Sequence, residues 1–375
     1  VRLLTVGNCP LDPNQGSGYV MLGYVERLRT RGWHVDALGA DEIDPWPALG
    51  RARGARIAIG MATAVRRALG RRDYDVVELY GGEGWLAIAR LVRRRDRKFL
   101  LVGRSNGLEP AASEALVSWL GSDTLDGRPR RWWQRDGVEA AARGFRAADA
   151  LVTVSERERE YAIAAAYQPA DRVLAIDNPL PDDWLGLPFT AERPATIQYV
   201  GSWLPRKGTA AIAAALPAVL DAFPAARLRL VGVGAGWRVT EHFPAHLHGR
   251  IEVVPFLVDR TELRAAYSSA AIAVVPSVYE SFGLAAAEAM ACGCAVVASR
   301  TGFAAGLRDG VEARLFHPPG APQLEAALRD LLADEARRRA IAHGGYQRVQ
   351  SLRWEPATDA LEQAYRRWLH SRRGG

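Results

Sequence analysis

The chain has 375 residues, of which 49% are apolar and 24% charged, with a formal net charge of +7. This length exceeds one ordinary core and fits two domains of roughly 150–200 residues each, and the composition is that of a globular protein rather than a disordered or fibrous one. Three cysteines, Cys9, Cys292 and Cys294, cannot form a disulfide framework and point to a reducing, cytoplasmic setting, while no apolar run reaches the ~18 residues of a membrane span.

Among 49 cationic residues only Lys98 and Lys207 are lysines. The arginine bias reads first as genome composition. The clusters RRALGRR (66–72) and RRRDRK (93–98) also suit an anionic surface. Few aromatics interleave with them and no nucleic-acid motif accompanies them, so a peripheral contact at the inner membrane face is a better reading than nucleic acid.

The opening VRLLTVGNCP reads as a strand, with no long apolar core or cleavage signature of a signal peptide. A Gly-rich turn, NQGSG (14–18), precedes a helical pattern with Tyr19, Leu22, Val25 and Leu28 on one face. HVDAL (34–38), YDVVELY (74–80), KFLLVG (98–103) and ALVTVS (150–155) supply further strands. SERE (155–158) has the form of a capping box. The turn-rich DNPLPDDWLGLPFTAERP (177–194) marks a domain boundary. Alternation then restarts with TIQYVG (196–201), RLRLVG (227–232), IEVVPF (251–256), IAVVPS (272–277) and AVVAS (295–299), separated by Ala-rich helices. WEPATDALEQAYRRWL (354–369) reads as a last amphipathic helix. Strands alternating with helices imply parallel sheets, hence an α/β chain of two Rossmann-like domains.

Two stretches carry chemistry. In VPSVYESFGLAAAEAMACGCAVVAS (275–299), Glu280 and Glu288 interrupt a nearly apolar run. Helices apolar all round are normally buried, and a buried carboxylate is costly unless hydrogen-bonded. Glu280, just before the helix, can accept bonds from a ligand hydroxyl, and Glu288 can accept two from a vicinal diol such as ribose. The amides around Phe282, Gly283 and Leu284 lie at a helix N-terminus, which suits phosphate. In YVGSWLPRKGTAAIAAAL, Arg206 and Lys207 directly precede Gly208 at another helix start, where a compact ammonium suits the same anion.

These two stretches resemble the nucleotide-sugar half of retaining glycosyltransferases of family 4, with the two-domain GT-B fold and a Glu-x7-Glu motif met by Glu280 and Glu288. NQGSGYVMLGYVERLRTRGWHV, AADALVTVSERER and DGVEARLFHPPG are similar to other parts of that family, more loosely in the first half. The resemblance implies two domains facing across a cleft: residues 1–178 binding the acceptor, residues 179–353 binding the nucleotide sugar, and residues 354–375 crossing back to the first domain. It implies that Lys207, with amides of Gly283 and Leu284, binds the diphosphate and that Glu288 holds the ribose. Glu280 contacts the transferred sugar, Ser281 and Phe282 line its pocket, Gly16 and Gly18 belong to a loop closing over the phosphates, and Phe256 and Leu257 hold the base. Catalysis falls to Glu280, Lys207 and Arg206. The donor is a nucleoside-diphosphate sugar, a UDP-sugar preferred over a GDP-sugar, with no metal and no other cofactor. The acceptor is a glycan, lipid-linked or small-molecule hydroxyl.

The chain departs from the family at three places. Ser202 stands where an arginine is usual, with Arg206 as the substitute. Asn106, in RSNGLEP, stands where a histidine is common. TGFAAG (301–306) lacks the usual double glycine and acid. Two other readings keep the same donor: a nucleotide-sugar epimerase or hydrolase of this fold, and a non-catalytic nucleotide-sugar-binding partner. Trp132 and Trp133, in WWQR, read as an acceptor-facing patch or as core, and Asn106 joins them on the acceptor side. GVGAG (232–236) imitates a dinucleotide fingerprint, but its third glycine comes one residue early and WRVTEHFP is a poor helix start. DYD (73–75) imitates a metal-binding Asp-x-Asp but opens a strand, HFPAHLH (242–248) lacks regular ligand spacing and an acid cluster, and CGC (292–294) reads as buried thiols.

Overall fold

The computed structural model describes residues 1–44, 53–95, 97–120, 132–190, 192–318 and 320–373. The chain divides into two units. One comprises Val1–Glu114, Arg130–Pro179 and Trp354–Gly375, and the other comprises Ala115–Pro129 and Leu180–Arg353.

The first unit holds a six-stranded parallel sheet of β1 (Arg2–Val6), β2 (His34–Leu38), β3 (Val76–Tyr80), β4 (Leu100–Arg104), β5 (Ala150–Thr153) and β6 (Val173–Ala175), in the order β2-β1-β3-β4-β5-β6. β3 and β4 are buried along their whole length, as a sheet covered on both faces requires. One covering layer joins the helix Gly16–Thr30 to the last helix, Trp354–Arg373, through Tyr24, Leu28, Trp354, Leu361, Tyr365 and Trp368. The other is built on Ile57, Met61, Val65 and Ile88. Trp354 packs edge-on against Tyr19 and Tyr24. Tyr365 hydrogen-bonds Glu78, which also accepts from Arg104 at 2.9 Å and from Thr5 at 2.7 Å. Fully buried, Glu78 and Arg104 persist because each is paired and the arginine also lies over the Tyr24 ring.

The second unit repeats the plan with β7 (Thr196–Val200), β8 (Arg227–Val231), β9 (Ile251–Val254), β10 (Ile272–Val275), β11 (Ala295–Ser299) and β12 (Arg314–Phe316), ordered β12-β11-β10-β7-β8-β9 and all parallel. Counted from β7, this is the 3-2-1-4-5-6 order of dinucleotide-binding sheets. Its core centres on Ile197, Ile212, Leu216, Leu228, Ile272, Val297 and Leu328.

All ten sequence-predicted strands form; β6 and β12, three-residue strands at sheet edges, were not expected. Gly16 and Gly18 lie not in a loop but in the first turn of the helix Gly16–Thr30. A side chain on Gly18 would meet the Pro10 and Asp12 carbonyls at 2.3 and 2.6 Å, so the glycine serves close backbone packing. Ser155 caps its helix by accepting from the Glu158 amide. Glu158, however, also reaches across to Ser105 Oγ and the Leu108 amide, fixing the loop after β4. Among the described residues no helix is long and apolar enough to cross a membrane.

Candidate active site

In the second unit the chain reverses direction across the sheet between β7 and β10, the crevice where parallel α/β sheets bind ligands. The loops after these two strands carry the chemistry-bearing residues. After β7, a 3-10 turn at Pro205–Lys207 ends on Gly208, whose φ of +72° starts the helix Thr209–Ala222. A side chain at Gly208 would lie 1.8 Å from the Pro276 carbonyl oxygen, just past β10. The Val278 amide donates to the Arg206 carbonyl at 2.8 Å, locking the loops together. Gly208→Ala is therefore expected to cost about 3 kcal/mol or more, combining left-handed strain with a backbone clash; urea unfolding measures it.

This closure brings Lys207 Nζ to 2.6 Å from Glu280 Oε1, which Ser277 Oγ also reaches at 2.7 Å. Burial pushes the Glu280 carboxyl up, but the charge and hydrogen bond of Lys207, then Ser277 and the charge of Arg206, bring it below the usual carboxylate range. Arg206 is half-buried and its guanidinium has no ion-pair partner among the described residues. An unpaired cation beside a bound ammonium disposes this loop toward an anion. Ser202 is exposed, and its carbonyl accepts from Tyr199 Oη at 2.8 Å.

Gly283, with φ +88°, opens the helix Leu284–Ala291. The amides of a first helical turn have no partner within the helix, so those of Gly283 and Leu284 are available to an anion. Ser281 is half-buried. Phe282 is buried, its ring on Phe303 and its carbonyl accepting from the Phe303 amide, so this residue supports the loop from within rather than lining a pocket.

Glu288 is only 7% exposed, and Arg260 Nη2 donates to its Oε1 at 3.0 Å. Burial raises the Glu288 carboxyl, and the Arg260 charge only partly offsets it. The guanidinium itself sits over the Trp184 ring. Arg260 has no local signature, being one arginine among many at the start of a helix capped by Asp259; its pairing with Glu288 is purely tertiary. Phe256 is 66% exposed and stands over Gly232, where a side chain would touch the ring at 3.5 Å; Leu257 beside it is half-buried. An exposed phenylalanine against a glycine at the end of β8 offers a flat face to a planar ring.

The remaining candidates lie in the first unit. Gly16 and Gly18 belong to its first helix, and Asn106 is exposed in the loop after β4. Trp132 and Trp133 begin the helix Trp132–Ala147, and their side chains lie outside the described residues. GVGAG leads only to a 3-10 turn, Val239–Glu241. The three histidines of HFPAHLH diverge: His242 stacks on Trp237, His246 pairs with Asp221, and His248 with the Phe243 carbonyl. Cys292 and Cys294 are buried thiols pushed up to about 12, chiefly by burial.

Residues 194–334, which contain all of this second-unit site, match the family model described as glycosyl transferases group 1. D-inositol 3-phosphate glycosyltransferase of Corynebacterium aurimucosum is 34% identical over 189 residues, covering 48% of this chain and 44% of that protein. The match thus spans less than half of that relative's length. Among solved structures, sucrose-phosphate synthase of Thermosynechococcus elongatus superposes with a TM-score of 0.77 at 24% identity, covering 99% of this chain and 100% of the other. The Anabaena protein Alr3699/HepE, solved in complex with UDP-glucose, gives a TM-score of 0.66 at 16% identity over 96% of this chain and 98% of its own. Residues 194–334 thus match the group 1 glycosyltransferase family model, and the fold of the chain is of the GT-B type.

Proposed function

We propose that the chain is a retaining, metal-independent glycosyltransferase that moves a sugar from a nucleoside-diphosphate sugar to a hydroxyl acceptor held by its first unit. The observation that carries this reading is the meeting of Lys207, Glu280 and the amides of Gly283–Leu284 at the β7–β10 switch point, with Glu288 one turn further along the helix. Glycosyl transfer breaks the anomeric C–O bond and leaves negative charge on the departing diphosphate. Once the donor is bound, Lys207, Arg206 and the two amides face the departing diphosphate and stabilise that charge as it develops. The diphosphate, attracting Lys207, loosens its pair with Glu280 and frees that carboxylate to accept bonds from the sugar hydroxyls. Glu288 grips the ribose diol and Phe256 faces the base. In a retaining course the acceptor hydroxyl attacks from the leaving-group face, and the departing diphosphate takes its proton.

A UDP-sugar is the favoured donor, supported by the Anabaena neighbour solved with UDP-glucose. The inositol-phosphate relative names its own acceptor, not this chain's. The reading assigns Asn106, Trp132 and Trp133 to the acceptor side, and the basic clusters of the first unit suit a peripheral contact with anionic lipid.

A thermal-shift screen against UDP, GDP, ADP and their glucose forms tests the donor claim, since a ligand that binds only the folded state raises Tm. UDP and UDP-glucose are expected to give the largest shifts, undiminished by EDTA. No shift with any nucleoside diphosphate would overturn the reading, and free sugar or an epimer formed without acceptor would redirect it to hydrolysis or epimerisation.

A further inference from the structure

The first unit has a switch point of its own. β1 lies between β2 and β3, so its crevice opens beyond the carboxyl ends of β1 and β3. The residues there are Asn8, two residues past the end of β1, and the run Gly81-Gly82-Glu83 after β3. Asn8 Nδ2 donates to Glu83 Oε1 at 3.2 Å, and both side chains are half-buried, open in part to solvent. A second carboxyl, Glu109, opens the helix Glu109–Leu120 that follows β4. Its Oε1 accepts from the Gly82 amide at 2.7 Å, while its Oε2 is shut off from solvent with no hydrogen-bond partner.

The glycines make this crowding possible. A side chain on Gly81, at φ +74°, would lie 2.3 Å from Glu83 Oε2 and 3.8 Å from Glu109 Oε1, and one on Gly82 would lie 2.6 Å from Glu109 Oε2. One small volume thus serves both acids. Among the described residues neither Glu83 nor Glu109 has an ion-pair partner. Burial first, then the charges of Glu83 and Glu158, push Glu109 up to about 8. An enclosed oxygen lacking a partner is costly to retain.

We infer that Asn8 and Glu83, backed by Glu109, form a subsite that binds an uncharged sugar or polyol hydroxyl of the acceptor and excludes phosphate. Glu83 accepts from the hydroxyl and Asn8 fixes the carboxylate, while Glu109 acts as a positioning residue beneath them. A phosphate placed here would face acids with no cation to offset them, which gives the selectivity its sign.

The inference rests on the glycosyltransferase reading but is measured apart from it. Glucose, glucosamine and glucose 6-phosphate, each at millimolar concentration, are followed by saturation-transfer NMR on the full chain with UDP present. Glucose binding is expected in the wild type and lost at least fivefold in Glu83→Gln and in Asn8→Ala, with the UDP affinity of all three proteins equal. Glucose 6-phosphate is expected to bind at least tenfold more weakly than glucose, and to gain on it in Glu83→Lys. Glucose binding indifferent to Glu83 and Asn8, glucose 6-phosphate preferred by the wild type, or glucosamine bound far more tightly than glucose would each overturn the assignment. Loss of UDP binding in the wild type would instead count against the donor site of the second unit.

Discussion

Lys207→Ala is expected to lower kcat by about 10²–10³-fold, the usual consequence of removing one preorganised group from a developing oxyanion. The effect should fall on kcat more than on donor affinity, because Arg206 and the helix amides still attract the diphosphate in the ground state. The same substitution also disturbs the free protein. Glu280, 13% exposed, would be left with Ser277 and the distant charge of Arg206 in place of its direct ammonium partner. In the wild type its pKa lies below that of an unfolded glutamate, so the pair contributes stability at all pH values above about 4.5, and that contribution fades as pH falls through the folded value. Without Lys207 burial dominates and the folded pKa rises above the unfolded one. The sign then inverts, and the variant should gain stability relative to wild type as pH is lowered from 7 toward 5. Lys207→Ala combined with Glu280→Gln separates the two effects. It should recover the lost stability, by about 2 kcal/mol, without recovering turnover. Urea unfolding at two pH values and steady-state kinetics on the three proteins provide the check.

Glu288→Ala is expected to weaken nucleoside-diphosphate binding roughly thirtyfold, or about 2 kcal/mol, the scale of hydrogen bonds from a diol to a buried carboxylate. Turnover at saturating donor should change much less, since ribose contacts are made alike in the ground and transition states. Arg260 sharpens the test. Removing Glu288 takes one partner from a cation only 18% exposed that also lies over the Trp184 ring, so Glu288→Ala should also lose stability while Glu288→Gln keeps most of it. Calorimetry with UDP on both variants distinguishes a ribose contact from a structural ion pair. In the latter case the two variants would bind UDP equally well once folded.

The strands that build each sheet were legible because parallel strands buried on both faces are written as short apolar, β-branched runs such as VVELY and AVVAS. β6 and β12 were missed because three residues at a sheet edge hold too little pattern to stand out from a loop. The helix start at Gly16 was read three residues late, since two glycines in a first turn argue against helix until the contact of Gly18 with the Pro10 and Asp12 carbonyls explains one of them. Glu280 and Glu288 were conspicuous as acids in an apolar run, and Lys207 as a lysine in an arginine-rich chain. Their pairings were not. Lys207 meets Glu280, and Arg260 meets Glu288, only through the order of strands in the sheet. Glu83, in a 3-10 turn, and Glu109, at a helix start, are lone acids in unremarked segments, and their neighbourhood arises from β3 and β4 lying side by side. Phe282 shows the converse limit: its position in the motif was legible, but the direction of its ring depends on Phe303, a residue from a later loop.

The central claim is that the second unit seats a sugar diphosphate between the β7 and β10 loops. Its most direct test is a crystal structure with UDP-glucose bound. The account predicts diphosphate oxygens on Lys207 Nζ and the Gly283 and Leu284 amides, ribose hydroxyls on Glu288, and glucose hydroxyls on a Glu280 released from Lys207. UDP-glucose bound elsewhere on the chain, with the Lys207–Glu280 and Arg260–Glu288 pairs intact, would contradict it.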